Sequence, residues 1–266
     1  MKSEEFQEII WQKAKELYRD MPWRDNTEPY FILVSELMLQ QTQVDRVIPK
    51  FHEFMTRFPT IQSLADAPLS EVLISWSGLG YNRRAKFLHV AAKKVISDFQ
   101  GKIPETFEQL TTLPGVGPNT AGAILAYSFN QPNVFIETNV RTVYFYHLFQ
   151  DEESISDTML KEKIIETLDQ EHPREWYWAI MDYGAYLKKQ GAGQIKRSSH
   201  YKKQSRLKGS LREVRGLIIK FLTVGDLTFE ELAQKLPQDD RYEKALKALI
   251  SEGIIKQTGE RLHLAR

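Results

Sequence analysis

Two carboxylates stand where a carboxylate has chemistry to do. Glu36 lies inside SELMLQQTQV (35–44), among apolar residues of helical spacing. An unpaired carboxylate among apolar side chains is costly. Burial raises its pKa, and the group can then hold a proton near neutrality. Glu137 lies in IETNVR (136–141), after the apolar run Val134–Phe135–Ile136 and two residues before Asn139. One acid to protonate a leaving group and one carboxylate to stabilise a cation is the arrangement that breaks glycosidic bonds. Each residue also has an ordinary reading. Glu36 could pair with a cation such as Arg24, and Glu137 could simply cap the helix that follows it.

A third stretch, LPGVGPNTAGAILAYSF (113–129), places two glycines ahead of an apolar helix. Phe107, Leu110 and Leu113 have helical spacing before it, and Ala121, Ile124, Leu125 and Phe129 share one face after it. Pro114 cannot continue a helix, and Gly115 and Gly117 can both adopt positive φ. The stretch reads as helix, hairpin, helix. Its second helix begins with unpaired N–H groups and a partial positive charge, which suits a phosphate. A plain corner with nothing bound is the alternative.

The elements that must position these residues are helical. Phe6, Ile9, Ile10, Ala14 and Leu17 form one stripe, and Val47, Phe51, Phe54 and Phe58 another. PYFILV (29–34) could open as a strand, but Leu33, Leu37 and Leu39 fit a helix that ends in polar residues. Thr60–Ala65 and Leu69–Trp76 predict short helices, and Arg83–Phe99 a long amphipathic one. After Gly209 the pattern changes. Val214, Leu217, Ile218 and Phe221 predict one helix, and Thr228 with Glu231 forms a capping box for a second. Tyr242–Ile250 predicts a third, and GIIKQTGERLHLAR alternates around Thr258–Gly259 as a hairpin does. The expected architecture is all-α over residues 1–187, in two helical lobes. A basic linker follows over 188–209, and a small winged-helix-like α+β domain over 210–266.

The chain has 266 residues, of which 42% are hydrophobic and 27% charged, enough for two soluble globular domains. Cysteine is absent, which excludes disulfides, thiolate zinc sites and a cysteine nucleophile. Six histidines show no zinc-ligand spacing, so no metal site is expected. MKSEEFQEII lacks the features of a signal peptide, and no apolar run is long enough to span a membrane. A cytoplasmic protein is expected, nucleoid-associated if bacterial, with no membrane partner. Net charge is only +1, yet Tyr183 to Arg212 holds no acidic residue. That tract holds Lys188, Lys189, Lys196, Arg197, Lys202, Lys203, Arg206, Lys208 and Arg212. It reads as a phosphate-backbone footprint, a flexible linker, or both.

PWR (22–24), SELMLQQTQV (35–44), GLGYNRRAKFLH (78–89), LPGVGPNTAGAIL (113–125) and MDYGA (181–185) occur in the order found in one family. Over residues 5–190 the sequence resembles the helix-hairpin-helix DNA glycosylases, specifically the MutY-like A/G-mismatch adenine glycosylases. The resemblance implies that Glu36 is the general acid that protonates adenine N7. It implies that Glu137 and Asn139 stabilise the oxocarbenium-like sugar while water attacks. Trp23, Arg24, Leu39, Asn119 and Asp182 match positions lining the base pocket. Gln41 and Tyr81 match residues that wedge into the duplex as a base is flipped out, and Thr42 adjoins them. Leu113, Gly115, Val116 and Gly117 match the hairpin whose amides hold a DNA phosphate, often with a monovalent cation. Arg141, Lys196, Arg197, Lys202 and Lys203 complete the expected DNA contacts. The partner implied is double-stranded DNA with a mismatched or damaged base, met by a monomer.

The departures from the family are as specific. Glu137 replaces the family's aspartate, which moves the carboxylate by about 1.5 Å. Bifunctional relatives carry a nucleophilic lysine where Asn119 stands, so strand cleavage is not expected. Adenine-specific members usually have Ser or Tyr there. The family's four cluster-ligating cysteines are missing, so no iron–sulfur cluster is expected. The basic tract takes their place and part of their electrostatic role. Residues 210–266 look winged rather than like the domain that recognises 8-oxoguanine. Two alternatives therefore stand beside an adenine glycosylase. One is a monofunctional glycosylase for uracil or thymine opposite G, or for a damaged purine. The other is a catalytically inactive protein that binds mismatches or abasic sites.

Overall fold

A computed structural model describes residues 1–199, 206–237 and 239–265. Lys202 and Lys203 lie outside the described residues. In chain order the helices are α1 (Ser3–Leu17), α2 (Pro22–Asp25), α3 (Pro29–Leu39), α4 (Val44–Arg57), α5 (Ile61–Asp66), α6 (Leu69–Trp76), α7 (Arg83–Phe99), α8 (Phe107–Leu110), α9 (Pro118–Phe129), α10 (Thr138–His147), α11 (Asp157–Thr167) and α12 (Pro173–Lys189). A 3-10 turn (Ile195–Arg197) follows, then α13 (Leu211–Leu222), β1 (Leu227–Thr228), α14 (Phe229–Ala233), α15 (Asp240–Ser251), β2 (Ile255–Thr258) and β3 (Arg261–Leu264). None of the described helices is long and apolar enough to cross a membrane.

The chain divides into two compact units that interleave in sequence. The first comprises 1–36, 105–112 and 116–203. The second comprises 37–104, 113–115 and 204–266. In the first unit α1 closes on residues far along the chain. Phe6 and Ile10 are fully buried, and the Phe6 ring lies 5.0 Å from Tyr144 of α10 and 6.1 Å from Trp176 of α12. In the second unit Phe54 of α4 packs on Trp76 of α6 at 6.0 Å, while α7 buries Leu88, Ala91, Ala92 and Val95. These stripes follow the helical period that the sequence displays.

The C-terminal part of the second unit is a small α+β module. Val214 and Ile218 of α13, Ala245 and Leu249 of α15, and Leu262 and Leu264 of β3 supply its buried side chains. The sheet order is β1-β3-β2, all antiparallel, with Thr258 opposite Arg261 across the hairpin and Gly259 at φ 59° in its turn. The capping box forms as read, with Glu231 N donating to Thr228 Oγ1 at 3.1 Å. The short strand β1 was not legible, since two residues carry no period.

PYFILV is helical within α3, as the spacing of Leu33, Leu37 and Leu39 predicts. Two local expectations change. The helix before the hairpin is a single turn, ending at Leu110 rather than Leu113. The basic tract is not a free linker along its whole length. Ile155 N donates to Arg197 O at 3.0 Å and Ser199 N to Ile155 O at 3.2 Å, so this stretch is docked on the first unit.

Candidate active site

The first unit brings the two sequence-predicted carboxylates together. Glu36 is carried by α3, whose Leu33, Val34 and Ser35 are fully buried. Arg24, the cation that sequence proximity offered it, is committed elsewhere. Arg24 Nη1 and Nη2 donate to Asp182 at 2.7 and 2.9 Å, and both side chains are almost fully buried. Arg19 Nε adds a third bond to Asp182 at 2.6 Å. Glu137 is the N-cap residue of α10, yet its side chain makes no capping hydrogen bond. Its carboxylate is therefore not folded back onto its own helix, and both ordinary readings fall away.

The strap before Glu137 is held by α9 and α12. Asn119 Nδ2 donates to Ile136 O at 2.9 Å, and Ile136 N donates to Asn119 Oδ1 at 3.1 Å. This two-way clamp fixes the peptide just ahead of the carboxylate. Phe135 sits so close to Gly122 that a Cβ there would come within 2.9 Å of it. Tyr177 of α12 stacks on Phe135 at 4.1 Å and donates to Asn133 O at 2.8 Å. After Glu137, Asn139 Nδ2 donates to Met181 O at 3.1 Å, which ties the start of α10 to α12.

Burial pushes the Glu36 carboxyl well above the usual carboxylate range, and the neighbouring Glu137 charge pushes it further. Burial alone raises Glu137. Two like groups this near share a proton rather than ionising together. The pair therefore titrates as a unit and retains a proton to higher pH than an ordinary carboxylate does. Both residues are intermediate in exposure rather than fully enclosed. Tyr127 of α9 is a third member that sequence reasoning missed. Its phenol is raised first by burial and further by the acidic pair Glu36 and Glu137 beside it.

The second unit carries the residues matched to duplex opening. Arg84 is buried and joins two loops. Its Nη1 donates to Leu37, Met38 and Gln40 carbonyls at 2.7, 2.9 and 2.6 Å. Its Nη2 donates to Thr42 Oγ1 at 3.1 Å and to Gly80 O at 3.0 Å. Burial lowers this guanidinium to about 10. The loops it joins present Gln41 at φ 57° and Tyr81 at φ 49°, both left-handed without being glycine. Such backbone persists only where the surroundings enforce it, and functional loops are where it concentrates. Leu39 is half-buried at the end of α3.

In the hairpin only Gly115 uses positive φ, at 84°. A Cβ there would meet Phe87 at 2.9 Å and Leu37 at 3.2 Å, so conformation and space both demand glycine. Gly117 is extended rather than left-handed, exposed, and has nothing within 4 Å of where a Cβ would stand. Leu113 and Val116 bury their side chains, leaving only backbone to meet a ligand. Trp23 is buried beside Arg24 in α2.

Two expected DNA contacts are committed inside the protein. Arg141 donates to both Asp157 oxygens at 2.5 and 3.0 Å and to Ser198 at 3.2 Å. Arg197 donates to the carbonyl of Phe145 in the last turn of α10 and to those of Phe149, Gln150 and Glu152 in the loop after it. Lys196 beside it is exposed.

The fold and the paired carboxylates define a class: residues 34–170 match the HhH-GPD superfamily base excision DNA repair protein family, and the chain belongs to it. Within that class the resemblances are to proteins named adenine DNA glycosylase. One, from Buchnera aphidicola subsp. Baizongia pistaciae, is 36% identical over 170 residues, 64% of this chain and 48% of that protein. Another, from Mycobacterium tuberculosis strain H37Rv, is 43% identical over 127 residues, 47% of this chain and 42% of that protein. The chain thus spans about half the length of the curated relatives it matches, or less. Among solved structures, a thermostable thymine-DNA glycosylase superposes with a TM-score of 0.65 at 25% identity, covering 69% of this chain and 86% of that one.

Proposed function

We propose that the chain is a monofunctional DNA glycosylase that hydrolyses the N-glycosidic bond of adenine mispaired with G or 8-oxoguanine. The observation that carries this reading is the neighbouring Glu36 and Glu137 carboxyls, both raised by burial, so that the pair retains a proton to higher pH than ordinary carboxylates do. Glu36 gives that proton to adenine N7, which makes the base a leaving group. Glu137, still negative, stabilises the cationic sugar, with Asn139 beside it, and water completes the hydrolysis. Asn119 has no amine to form a Schiff base, and its amide is engaged by Ile136. Strand cleavage is therefore not part of the reaction.

Gln41 and Tyr81 enter the duplex where the base leaves, against an unstacking cost of a few kcal/mol. The amides around Gly117 receive a DNA phosphate, and the hairpin carbonyls accommodate a monovalent cation. The family's iron–sulfur cluster does not fit this chain, which has no cysteine to ligate it. Arg197 instead ties the basic tract to Phe145 of α10 and to the loop that follows that helix. We read the protein as acting alone on double-stranded DNA in the cytoplasm or nucleoid.

A second reading is excision of thymine or uracil opposite G. The similarity to a thymine-DNA glycosylase and the Asn119 departure favour it. Single-turnover base release separates the two, on A opposite G, A opposite 8-oxoguanine, and T or U opposite G, each with and without alkali. Adenine release with breaks only after alkali, lost in Glu36→Gln with DNA binding kept, is the expected result. Full activity in Glu36→Gln would remove Glu36 from the acid role.

A further inference from the structure

The C-terminal α+β module holds none of the carboxylate chemistry, yet it grips Tyr81. Arg212, in the first turn of α13, donates from Nη1 to the Tyr81 hydroxyl. Its guanidinium carbon lies 5.0 Å from the centre of the Tyr81 ring, and that of Arg84 lies 5.5 Å away. One more contact anchors the module beside the same loop. Lys86 of α7 donates to the Glu252 carbonyl just past α15, while the Glu252 carboxylate pairs within the module with Arg215 of α13 at 2.6 Å. A tyrosine left-handed at φ 49° is thus bonded at its hydroxyl and covered by cations on its ring.

We infer that Arg212 is a positioning residue for Tyr81, through which the C-terminal module takes part in extruding the base. This rests on the glycosylase reading, in which Tyr81 enters the duplex. Arg212 fixes the ring in its entering pose before DNA arrives, so less ordering remains to be done when the stack opens. Its effect therefore belongs to the opening step and not to bond cleavage.

The test is single-turnover adenine release by Arg212→Ala and Arg212→Lys on two duplexes. One carries A opposite G. The other carries A opposite an abasic analogue, where no pair has to be broken. Arg212→Ala should lose about tenfold on the paired duplex and less than twofold on the unpaired one. Arg212→Lys keeps a donor for the hydroxyl but not the planar cover, and should recover part of the loss. Equal loss on both duplexes, or no loss on either, would overturn the inference; thermal unfolding confirms that the variants fold. If the unaltered chain releases no adenine from either duplex, the adenine reading fails and extrusion is followed directly. The probe is 2-aminopurine at the target position opposite G, which brightens on unstacking. Brightening slowed about tenfold by Arg212→Ala still supports the role. Unchanged kinetics, or no brightening by the unaltered chain, overturns it.

Discussion

Gly184 of α12 is the point where the site depends most sharply on one missing methyl group. A Cβ built there would stand 2.5 Å from the Asn139 carbonyl oxygen, 2.6 Å from Asn139 Cβ and 2.8 Å from its Cα. Ordinary contact begins at 3.4 Å, so α10 and α12 must part locally by about 0.9 Å to admit Gly184→Ala. Neither obstacle is the far end of a flexible side chain. Asn139 is the second residue of α10 and lies two residues from Glu137, so the displacement passes to both. Overpacking of this kind costs about 1–3 kcal/mol of stability. A catalytic group misplaced by about 1 Å can cost on the order of 10²-fold in rate. Single-turnover base release, measured well below the melting temperature, should therefore fall by roughly that factor. Gly216→Ala is the matched control. Gly216 lies within α13 with nothing within 4 Å of a new Cβ, and the change should add about 0.5–1 kcal/mol without altering the rate. A Gly184→Ala protein that is less stable but fully active would refute the reasoning. The contact between α10 and α12 would then be packing alone.

Three further outcomes follow from the same geometry. The release rate should be bell-shaped in pH, full where the pair holds one proton, falling about tenfold per pH unit above that range as the acid is lost and falling below it as the second carboxyl is protonated. Glu137→Gln removes the like charge and should move the alkaline limb to lower pH, but only partly, because burial is the larger cause. Both carboxyls are raised on folding, so their contribution to stability is fully present below about pH 4.3 and is lost as pH rises through the folded values. Urea melts of a Glu36→Gln, Glu137→Gln protein should show a weaker fall over that window. Asp182→Asn should cost about 3–5 kcal/mol in the same assay, since it strands the buried Arg24 charge. Arg197→Ala should lower the melting temperature while leaving the salt dependence of DNA binding nearly unchanged. A clear drop in the salt slope would return Arg197 to the phosphate contacts.

Patterns that repeat along the chain were legible. The limits of α7, the capping box at Thr228 and the hairpin at Gly259 follow from periodicity and turn chemistry. Glu36 and Glu137 stood out because a carboxylate beside an apolar run demands a reason. What escaped is side chains bonding to distant backbone. Arg84 serves carbonyls more than forty positions earlier, and Arg197 serves carbonyls about fifty positions earlier. A carbonyl has no residue type, so nothing in the sequence marks it as a partner. Tyr127 escaped for a related reason. It reads as one more apolar residue of α9, and only the fold brings it beside two acids. Gly117 misled in the opposite sense, because a glycine can be kept for open space as well as for a special φ.

The interleaving of the two units also has a consequence for biosynthesis. Phe6 and Ile10 leave the ribosome long before the faces that bury them, around Tyr144 and Trp176. At about 5–20 residues per second, α1 waits on the order of 10–30 s for its counterpart. During that interval an amphipathic helix with an uncovered apolar face is a natural client for chaperones. The second unit also waits, since its segments 37–104 and 204–266 are separated by most of the first unit. Neither unit can mature during translation before most of the chain exists, so a premature stop anywhere before α12 leaves no finished piece behind.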